Sequence, residues 1–305
     1  MKKTITAKNK LLVVLGPTAS GKTDLSIELA KKYNGEVVSA DSRQIYKGMD
    51  IGTAKPTKKE IQGIPHHLLD IKNPNQSYTV AEFKKAAIKK IKEIQKRGKL
   101  PILCGGTGLY IKAVVDNLDI PEVKANIALR EKIEKEIQRN GLNFVFNKLV
   151  KLDPEAAYIV DPKNPRRIIR ALEITLLTKK PFSEQRNAGK PLFDVLEIGI
   201  TLSKEKLVEK INLRVNQMIK RGLVNEVKKL FNKYGSQQAF DAIGYREIIE
   251  YLENKTSLQG AFEKIKINTW HFAKRQLTWF RPDRRIVWIK KYSQAIQAVS
   301  KFLKK

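Results

Sequence analysis

Eight residues near the start of the chain have the spacing of a phosphate-binding loop. Gly16–Thr23 reads GPTASGKT and fits the pattern G-x-x-x-x-G-K-[ST]. Backbone N–H groups of such a loop point at phosphate oxygens, and the helix that follows adds its positive dipole end. Lys22 would reach the terminal phosphate, and the hydroxyl of Thr23 could hold Mg²⁺. The residues predicted to bind the phosphates are Gly16, Pro17, Thr18, Ala19, Ser20, Gly21, Lys22 and Thr23.

A carboxylate and a second Gly-rich turn follow other apolar segments. Asp41 comes directly after Glu36–Ala40, and Gly105–Gly108 follows Leu100–Cys104. Because ligands of open α/β folds bind at the carboxyl edge of the sheet, Asp41 and Thr107 are predicted to share a pocket with the phosphate loop. Asp41 could accept a proton from a substrate N–H or O–H as general base. A Mg²⁺-water ligand or a helix cap are alternative roles for Asp41, and a tight structural turn is the alternative for Thr107.

Short apolar strands alternate with amphipathic helices around these residues. The predicted strands are Leu11–Leu15, Glu36–Ala40, Leu100–Cys104, Val195–Leu202 and Arg285–Ile289. The predicted helices of the first part are Lys22–Tyr33, Val80–Arg97 and Leu109–Val115. This alternation predicts an α/β fold, a P-loop NTPase-like parallel sheet flanked by helices.

The pattern changes in the middle of the chain. From about Asp119 to Pro191 it is helical without strands, which predicts an inserted helical domain. The predicted division is 1–118 and 193–305 for the core and 119–192 for the insertion. Further predicted helices are Ala125–Arg139, Phe144–Val150, Arg166–Thr178, Lys204–Arg221, Leu223–Tyr234, Glu247–Leu252 and Leu258–Lys274, with one more at the C-terminus.

The charge balance indicates a polyanionic partner. Sixty Lys and Arg residues against 31 Asp and Glu residues give a net charge of +29 over 305 residues. A field of that size concentrates nucleic acid around a protein, although lysines that are merely solvated are the alternative. Segments rich in positive charge and planar groups, which suit phosphate binding and base stacking, occur at Pro165–Arg170, Gly244–Glu247 and Lys274–Arg281. A solvated helix face is the alternative for each of them.

Other features exclude several classes. No apolar run approaches the roughly 18 residues of a membrane span, and the basic segment Met1–Lys10 precedes an apolar run too short for a signal peptide, so a cytoplasmic protein is expected. The single Cys104 excludes an internal disulfide and a Cys-rich zinc module. His66 and His67, without a Cys partner or helical His spacing, favour packing or hydrogen bonding over metal binding.

The phosphate loop alone does not separate a nucleoside triphosphate from an isoprenyl diphosphate, because both present the same oxygens. Three classes therefore remain open on the residues. These are a transferase acting on nucleic acid, a small-molecule kinase, and a non-catalytic RNA-binding protein with a nucleotide switch.

Seven motifs in order along the chain resemble the tRNA dimethylallyltransferase family, also called tRNA isopentenyltransferases. They are Gly16–Thr23 (GPTASGKT), Ser39–Tyr46 (SADSRQIY), Met49–Lys55 (MDIGTAK), Pro65–Asp70 (PHHLLD), Gly105–Tyr110 (GGTGLY), Ala242–Glu247 (AIGYRE) and Lys274–Arg281 (KRQLTWFR). The resemblance implies transfer of a dimethylallyl group from dimethylallyl diphosphate to the N6 amine of the adenosine 3′ to the anticodon, with Mg²⁺ as cofactor. A monomer is the default expectation. The runner-up is an adenylate isopentenyltransferase, which would need neither the insertion nor the +29 surface.

The resemblance also assigns roles. Asp41, Thr107 and Arg214 would be catalytic, and the helical insertion would bind the anticodon loop. The implied tRNA contacts are Asp41, Ser42, Arg43, Gln44, Thr107, Asn126, Arg166, Arg167, Ile168, Ile169, Arg170, Ala242, Ile243, Gly244, Tyr245, Arg246, Lys274, Arg275, Gln276, Leu277, Thr278, Trp279, Phe280 and Arg281. At Asn126-Ile127 the chain departs from the Asp-Pro that the family often has. The zinc finger of eukaryotic members is absent, as in bacterial-type enzymes.

Overall fold

The computed structural model describes residues 9–121, 123, 125–185 and 187–304. The chain divides into two compact units, one from Met1–Val115 with Leu192–Lys305 and the other from Asp116–Pro191. Residues 1–8 of the basic N-terminal segment lie outside the described residues. In the described part of the chain, no helix has the length and apolar character needed to cross a membrane.

The larger unit is built on a parallel sheet. Its strands are β1 (Lys10–Leu15), β2 (Gly35–Ser39), β3 (His66–His67), β4 (Leu100–Gly105), β5 (Asp194–Ile200) and β6 (Val287–Ile289). Across the described residues they pair in the order β3-β2-β4-β1-β5-β6, and every neighbouring pair is parallel. The predicted class, a parallel α/β sheet flanked by helices, is confirmed.

The described helices of the larger unit are α1 (Lys22–Tyr33), α2 (Lys58–Ile61), α3 (Val80–Lys96), α4 (Gly108–Val115), α9 (Lys204–Lys220), α10 (Leu223–Tyr234), α11 (Tyr245–Leu252), α12 (Leu258–Phe280) and α13 (Tyr292–Lys304), and the helices between α4 and α9 belong to the smaller unit. Helices α3 and α4 cover one face of the sheet, and α1 and α13 cover the other. Successive residues of a strand point to opposite faces. Leu11, Val13 and Leu15 accordingly pack with α3 and α4, whereas Leu12 and Val14 pack with α1 and α13. Burial on both faces explains why β1 is a continuous apolar run.

Helices α9–α12 bury a separate apolar core. Tyr245 at the start of α11 is fully buried there, together with Met49 from the segment after β2 and Leu223 from α10. This packing brings the segment around Met49 against the later helices, far along the sequence from it.

The strand order places three functional loops side by side. Strand β4 lies between β2 and β1, so the loops after Leu15, Ser39 and Gly105 share the carboxyl edge of the sheet. The loops are close enough that a Cβ added at Gly105 would lie 2.2 Å from the carbonyl oxygen of Ala40. Only glycine permits this approach, so the turn after β4 depends on it.

The smaller unit is helical, with α5 (Ile127–Asn140), α6 (Leu142–Leu152), α7 (Ala156–Ile159) and α8 (Pro165–Thr178) around an apolar core. The buried carboxylate of Glu173 organises it. It accepts hydrogen bonds from Arg130 at 2.9 Å and from the backbone N–H of Asn126 at 2.7 Å, and it pairs with Arg170 at 2.5 Å. Three donors satisfy a carboxylate whose side chain is fully enclosed, as a buried charge requires.

Candidate active site

The phosphate loop joins β1 to α1, as its sequence predicts. Gly16, Ala19 and Gly21 have positive φ angles of 143°, 63° and 92°, which lets successive backbone N–H groups turn inward. A Cβ at Gly21 would lie 2.7 Å from the hydroxyl oxygen of Tyr292, which donates to the Gly21 carbonyl at 2.8 Å. Both the backbone conformation and the close contact therefore require glycine at this position.

Lys22 is held across the loop. Its ammonium group donates to the carbonyl oxygen of Pro17 at 2.6 Å. Burial of the ammonium, and to a smaller extent the nearby charge of Arg214, lower the pKa of Lys22 to about 8. A lysine poised in this way gains strongly from a bound anion, because an opposite charge favours its protonated form.

Asp41 sits at the start of the turn that follows β2. Its Oδ1 accepts the backbone N–H groups of Arg43 at 2.8 Å and Gln44 at 3.3 Å. These bonds fix the carboxylate, and no hydrogen bond to Oδ2 is found within the described residues. The hydroxyl of Thr107 accepts the N–H of Ser42 at 3.1 Å, so the predicted proximity of Thr107 to the Asp41 turn is present.

These groups line one cavity of about 450 Å³. Its polar side includes Thr18, Asp41, Thr107 and Arg214. Its apolar side chains are Leu109, Val215, Met218, Ile243, Ile265, Phe272 and Trp279. The cavity thus combines phosphate-loop, carboxylate and hydrocarbon-binding surfaces, a combination suited to a small amphiphilic substrate.

Arg214 reaches this cavity from α9. Its guanidinium donates to the hydroxyl of Thr18 at 3.2 Å. Burial lowers the pKa of Arg214, while the carboxylates of Asp24 and Asp41 act in the opposite direction. Arginine keeps its charge under such conditions, so a cation lies directly beside the phosphate loop.

Gln276 connects the phosphate loop to the second Gly-rich turn. Its side-chain oxygen accepts the N–H of Thr18 at 2.7 Å, and its amide nitrogen donates to the carbonyl of Gly106 at 2.9 Å. A Cβ at Gly106 would lie 2.2 Å from that nitrogen. Gln276 therefore links the phosphate loop and the second Gly-rich turn and fixes their spacing.

The surroundings of Thr23 fit a Mg²⁺ ion that has one protein ligand and is otherwise bound by water and phosphate oxygens. In the part of the chain that the structure describes, no group of three or more His, Cys, Asp or Glu residues forms a metal cage. Mg²⁺ commonly keeps several waters and takes one or two protein ligands together with substrate phosphates. A half-buried hydroxyl at the first turn of α1, beside the phosphate loop, matches that mode.

The residues expected to contact RNA differ in how exposed their side chains are. Those with exposed side chains are Asn126, Arg166, Arg167, Arg246, Lys274, Arg275, Thr278, Trp279 and Arg281. Those partly buried are Asp41, Ser42, Arg43, Gln44, Thr107, Arg170, Ile243 and Leu277. Those buried are Ile168, Ile169, Ala242, Gly244, Tyr245, Gln276 and Phe280. Ala242 and Gln276 still line the cavity.

Several of these positions have structural roles that the sequence did not reveal. Ile168, Tyr245 and Phe280 lie in apolar cores, so their side chains are closed to a direct RNA contact. Asn126 is the N-cap of α5 and accepts the N–H of Leu129 at 3.0 Å. In contrast, residues Gly52–Ala54 line the cavity although no chemistry was assigned to them, and their motif Met49–Lys55 was the only signal.

Two neighbouring residues of α8 should respond differently to truncation. Ile168→Ala removes a fully buried side chain and should lower the free energy of unfolding by about 2–5 kcal/mol. Arg167→Ala removes an exposed side chain and should change the free energy of unfolding by less than about 0.5 kcal/mol. Urea unfolding of both variants measures the two changes. Equal stability losses for the two variants would contradict the burial assignment.

The pKa of Lys22 predicts a pH dependence of donor capture. In the free enzyme Lys22 loses its proton as the pH rises through about 8, so kcat/KM for a diphosphate substrate should fall above that pH. A bound diphosphate stabilises the ammonium, so kcat should stay flat to higher pH. Initial-rate measurements across the pH range test this, with Lys22→Met as the variant that lacks the inflection. An unchanged inflection in Lys22→Met would assign it to another group.

The fold and this cavity define a P-loop enzyme that handles a phosphorylated substrate at the carboxyl edge of a parallel α/β sheet. The family model described as IPP transferase matches residues 44–283. The chain belongs to the IPP transferase family.

Curated relatives and solved structures agree with this membership. The tRNA dimethylallyltransferase of Bacillus cereus strain B4264 is 48% identical over 284 residues, covering 92% of this chain and 90% of the relative. The tRNA dimethylallyltransferase of Acetivibrio thermocellus is 47% identical over 290 residues, covering 93% of this chain and 92% of the relative. The crystal structure of a tRNA isopentenylpyrophosphate transferase from Bacillus halodurans is similar with a TM-score of 0.73 and 42% identity, covering 97% of each chain. The crystal structure of a eukaryotic dimethylallyltransferase acting on tRNA is similar with a TM-score of 0.78 and 30% identity, covering 96% of this chain and 77% of that one.

Proposed function

We propose that this protein transfers a dimethylallyl group from dimethylallyl diphosphate to the N6 amine of the adenosine 3′ to the anticodon of tRNA. The observation that carries the proposal is the single cavity in which Thr18 and Arg214, beside the phosphate loop, meet the Asp41 carboxylate and a set of apolar side chains. The relatives named for this activity support it.

The reaction divides between the two sides of the cavity. The N6 nitrogen forms a bond to C1 of the dimethylallyl group while the bond from C1 to the diphosphate oxygen breaks, leaving its electron pair on the diphosphate. The loop N–H groups, Lys22 and Arg214 stabilise that developing charge. Asp41 orients the amine and accepts the proton that N6 loses. Thr107 supports this geometry through its hydrogen bond with Ser42.

Mg²⁺ would be held by Thr23 and the bound diphosphate, and it would supply further charge neutralisation to the leaving group. The protein residues do the rest: Lys22 and Arg214 bind the diphosphate oxygens, and the apolar side chains exclude water from the prenyl carbon. Exclusion of water matters because an allylic carbon that is losing its leaving group would otherwise react with it.

RNA delivers the acceptor. The target base must leave the anticodon stack to enter the cavity, and exposed Trp279 together with Arg275 at the cavity offers a stacking and phosphate-binding surface for it. The helical unit, with exposed Arg166 and Arg167, is the proposed anticodon-loop binding element. We expect the enzyme to act as a monomer in the cytoplasm, where tRNA is present.

The apolar lining argues against a small-molecule kinase, because phosphoryl transfer needs no hydrocarbon pocket beside the phosphate loop. An adenylate isopentenyltransferase would use the same cavity on a free nucleotide. The +29 charge and the helical unit favour a polyanionic acceptor instead.

The test is incubation with labelled dimethylallyl diphosphate and an A-rich anticodon stem-loop, with AMP and ATP as competing acceptors. Label should enter the RNA, and replacing the adenosine 3′ to the anticodon by guanosine, which lacks the N6 amine, should abolish it. Label in AMP alone would establish the adenylate enzyme. Phosphoryl transfer from ATP without prenyl transfer would establish the kinase.

A further inference from the structure

A loop that forms one wall of the cavity is anchored to a carboxylate outside it. We call residues Asp50–Lys55 the 50–55 loop; its members Gly52, Thr53 and Ala54 line the cavity. The carboxylate of Glu226 on α10 accepts the N–H groups of Asp50 at 3.1 Å, Ile51 at 2.8 Å and Gly52 at 3.1 Å. Three consecutive backbone donors thus converge on one side chain from a distant helix.

Tyr245 completes this anchor. Its hydroxyl donates to Oε1 of Glu226 at 2.5 Å, and its fully buried ring lies against Gly52, where an added Cβ would be 2.4 Å from a ring carbon. Burial, reinforced by the charge of Glu226, raises the pKa of Tyr245, so the phenol stays protonated as a donor. The Glu226 carboxylate therefore has four donors, all of which need its negative charge or its lone pairs.

Lys55 fixes the other end of the 50–55 loop. Its buried ammonium pairs with Asp50 and Asp70 at 2.6 Å each and donates to the carbonyl of Tyr46 at 2.8 Å. The loop is thus held at both ends by charge-assisted hydrogen bonds, which are the strong ones. Its position follows from these anchors.

The 50–55 loop is connected to the proposed catalytic carboxylate. The side-chain amide of Gln44 donates to the carbonyls of Thr53 and Ala54 at 3.2 Å each. The backbone N–H of the same Gln44 donates to Oδ1 of Asp41 at 3.3 Å. A short chain of hydrogen bonds therefore runs from Glu226 through the loop and Gln44 to Asp41.

We infer that Glu226 is a positioning residue for the transfer reaction: it fixes the 50–55 loop and, through Gln44, the orientation of Asp41 toward the acceptor amine. The inference rests on the proposed function. Within the described residues Glu226 does not line the cavity, so its effect is transmitted and not direct. The diphosphate is bound by other elements, the phosphate loop and Arg214 on α9, so donor affinity should not depend on Glu226.

The test compares Glu226→Gln, Glu226→Asp and the control Glu209→Gln, which alters an exposed glutamate of α9. Glu226→Gln replaces one carboxylate oxygen, which accepts hydrogen bonds, by an NH₂ group that faces the backbone N–H donors. The 50–55 loop should shift as a result, and the single-turnover transfer rate should fall about 10–100-fold, because a small misplacement of the reacting groups is costly. Glu226→Asp keeps the charge but is shorter, so its rate should lie between Gln and wild type. Glu209→Gln should match wild type.

The affinities decide the interpretation. The KM for dimethylallyl diphosphate and the Kd for the anticodon stem-loop should stay within about threefold of wild type. A wild-type rate in both Glu226 variants, or parallel losses of rate and both affinities, would overturn the positioning role. If Glu226→Gln does not fold, Glu226→Asp decides on the same measurements. Failure of the wild-type enzyme to prenylate RNA would instead overturn the proposed function.

Discussion

Asp41→Asn should lower the single-turnover rate of prenyl transfer about 10²–10⁴-fold at saturating donor and RNA. Asparagine can keep the hydrogen bonds that Oδ1 accepts from Arg43 and Gln44, so the turn should be preserved. What it loses is the negative charge that orients the adenine amine and takes up its proton. Binding of RNA depends mainly on contacts to phosphates, so the Kd for the anticodon stem-loop should change by no more than a few-fold.

The matched control is Asp194→Asn, which neutralises an aspartate at the opposite edge of the same sheet, where β5 begins. The Asp194 carboxylate is largely exposed, pairs with the buried Lys10 and does not line the cavity within the described residues. The transfer rate of Asp194→Asn should therefore equal that of the wild type. Equal losses of rate and RNA affinity in Asp41→Asn would make Asp41 a binding residue and leave the proton acceptor unassigned.

The local pattern was sufficient to predict most of the sheet and its helices. The predicted helices Lys22–Tyr33 and Leu223–Tyr234 coincide with α1 and α10. Both have clear apolar periodicity and defined ends: Asn34 after α1 is in the αL conformation, and Gly235 after α10 has a positive φ. The insertion was predicted at 119–192, and the compact helical unit spans Asp116–Pro191.

Short elements were missed for a physical reason. Strand β3 has only two residues, His66–His67, and helix α2 has four, so neither has a period to detect. Strand β3 is specified by tertiary contacts, whereas α2 begins at a local capping box between Thr57 and Glu60. His67 Nε2 lies 2.7 Å from the carboxylate of Glu36 on β2, which also pairs with Arg97 and Lys99. The prediction that His66 and His67 serve hydrogen bonding remains consistent with these contacts.

Many predicted boundaries differ from the structure by one or two residues, and the end of α12 differs by more. The helix predicted to end at Lys274 continues to Phe280, because the segment Lys274–Phe280 contains no glycine or proline and the next proline is Pro282. This extension gives Gln276 and Trp279 fixed positions on α12. The last strand begins at Val287 and not at Arg285, whose side chain pairs with Asp283 in the preceding turn.

The sequence predicted the loops of the site but not the apolar wall of its cavity. Asp41, Thr107 and the phosphate loop each follow a strand, so parallel topology alone brings them to one edge. Most of the apolar wall comes from α9 and α12, which are distant in sequence from the phosphate loop. No local pattern distinguishes Met218 or Phe272 from ordinary core residues. The buried state of Ile168 and Tyr245 likewise follows from packing that a motif does not encode.

Arg214→Ala should lower the rate of transfer about 10²–10³-fold, because the diphosphate would lose a preorganised cation at the moment when negative charge develops on it. The Arg214 guanidinium lies beside the phosphate loop and donates a hydrogen bond to Thr18. The guanidinium is buried, which strengthens its interaction with a bound anion. Single-turnover rates and competition by inorganic diphosphate measure the effect, and both should weaken. Arg221→Ala, at the exposed C-terminal end of the same helix, removes the same group outside the cavity and should leave both unchanged. A normal rate in Arg214→Ala would transfer the stabilisation of the leaving group to Lys22 and the loop N–H groups alone.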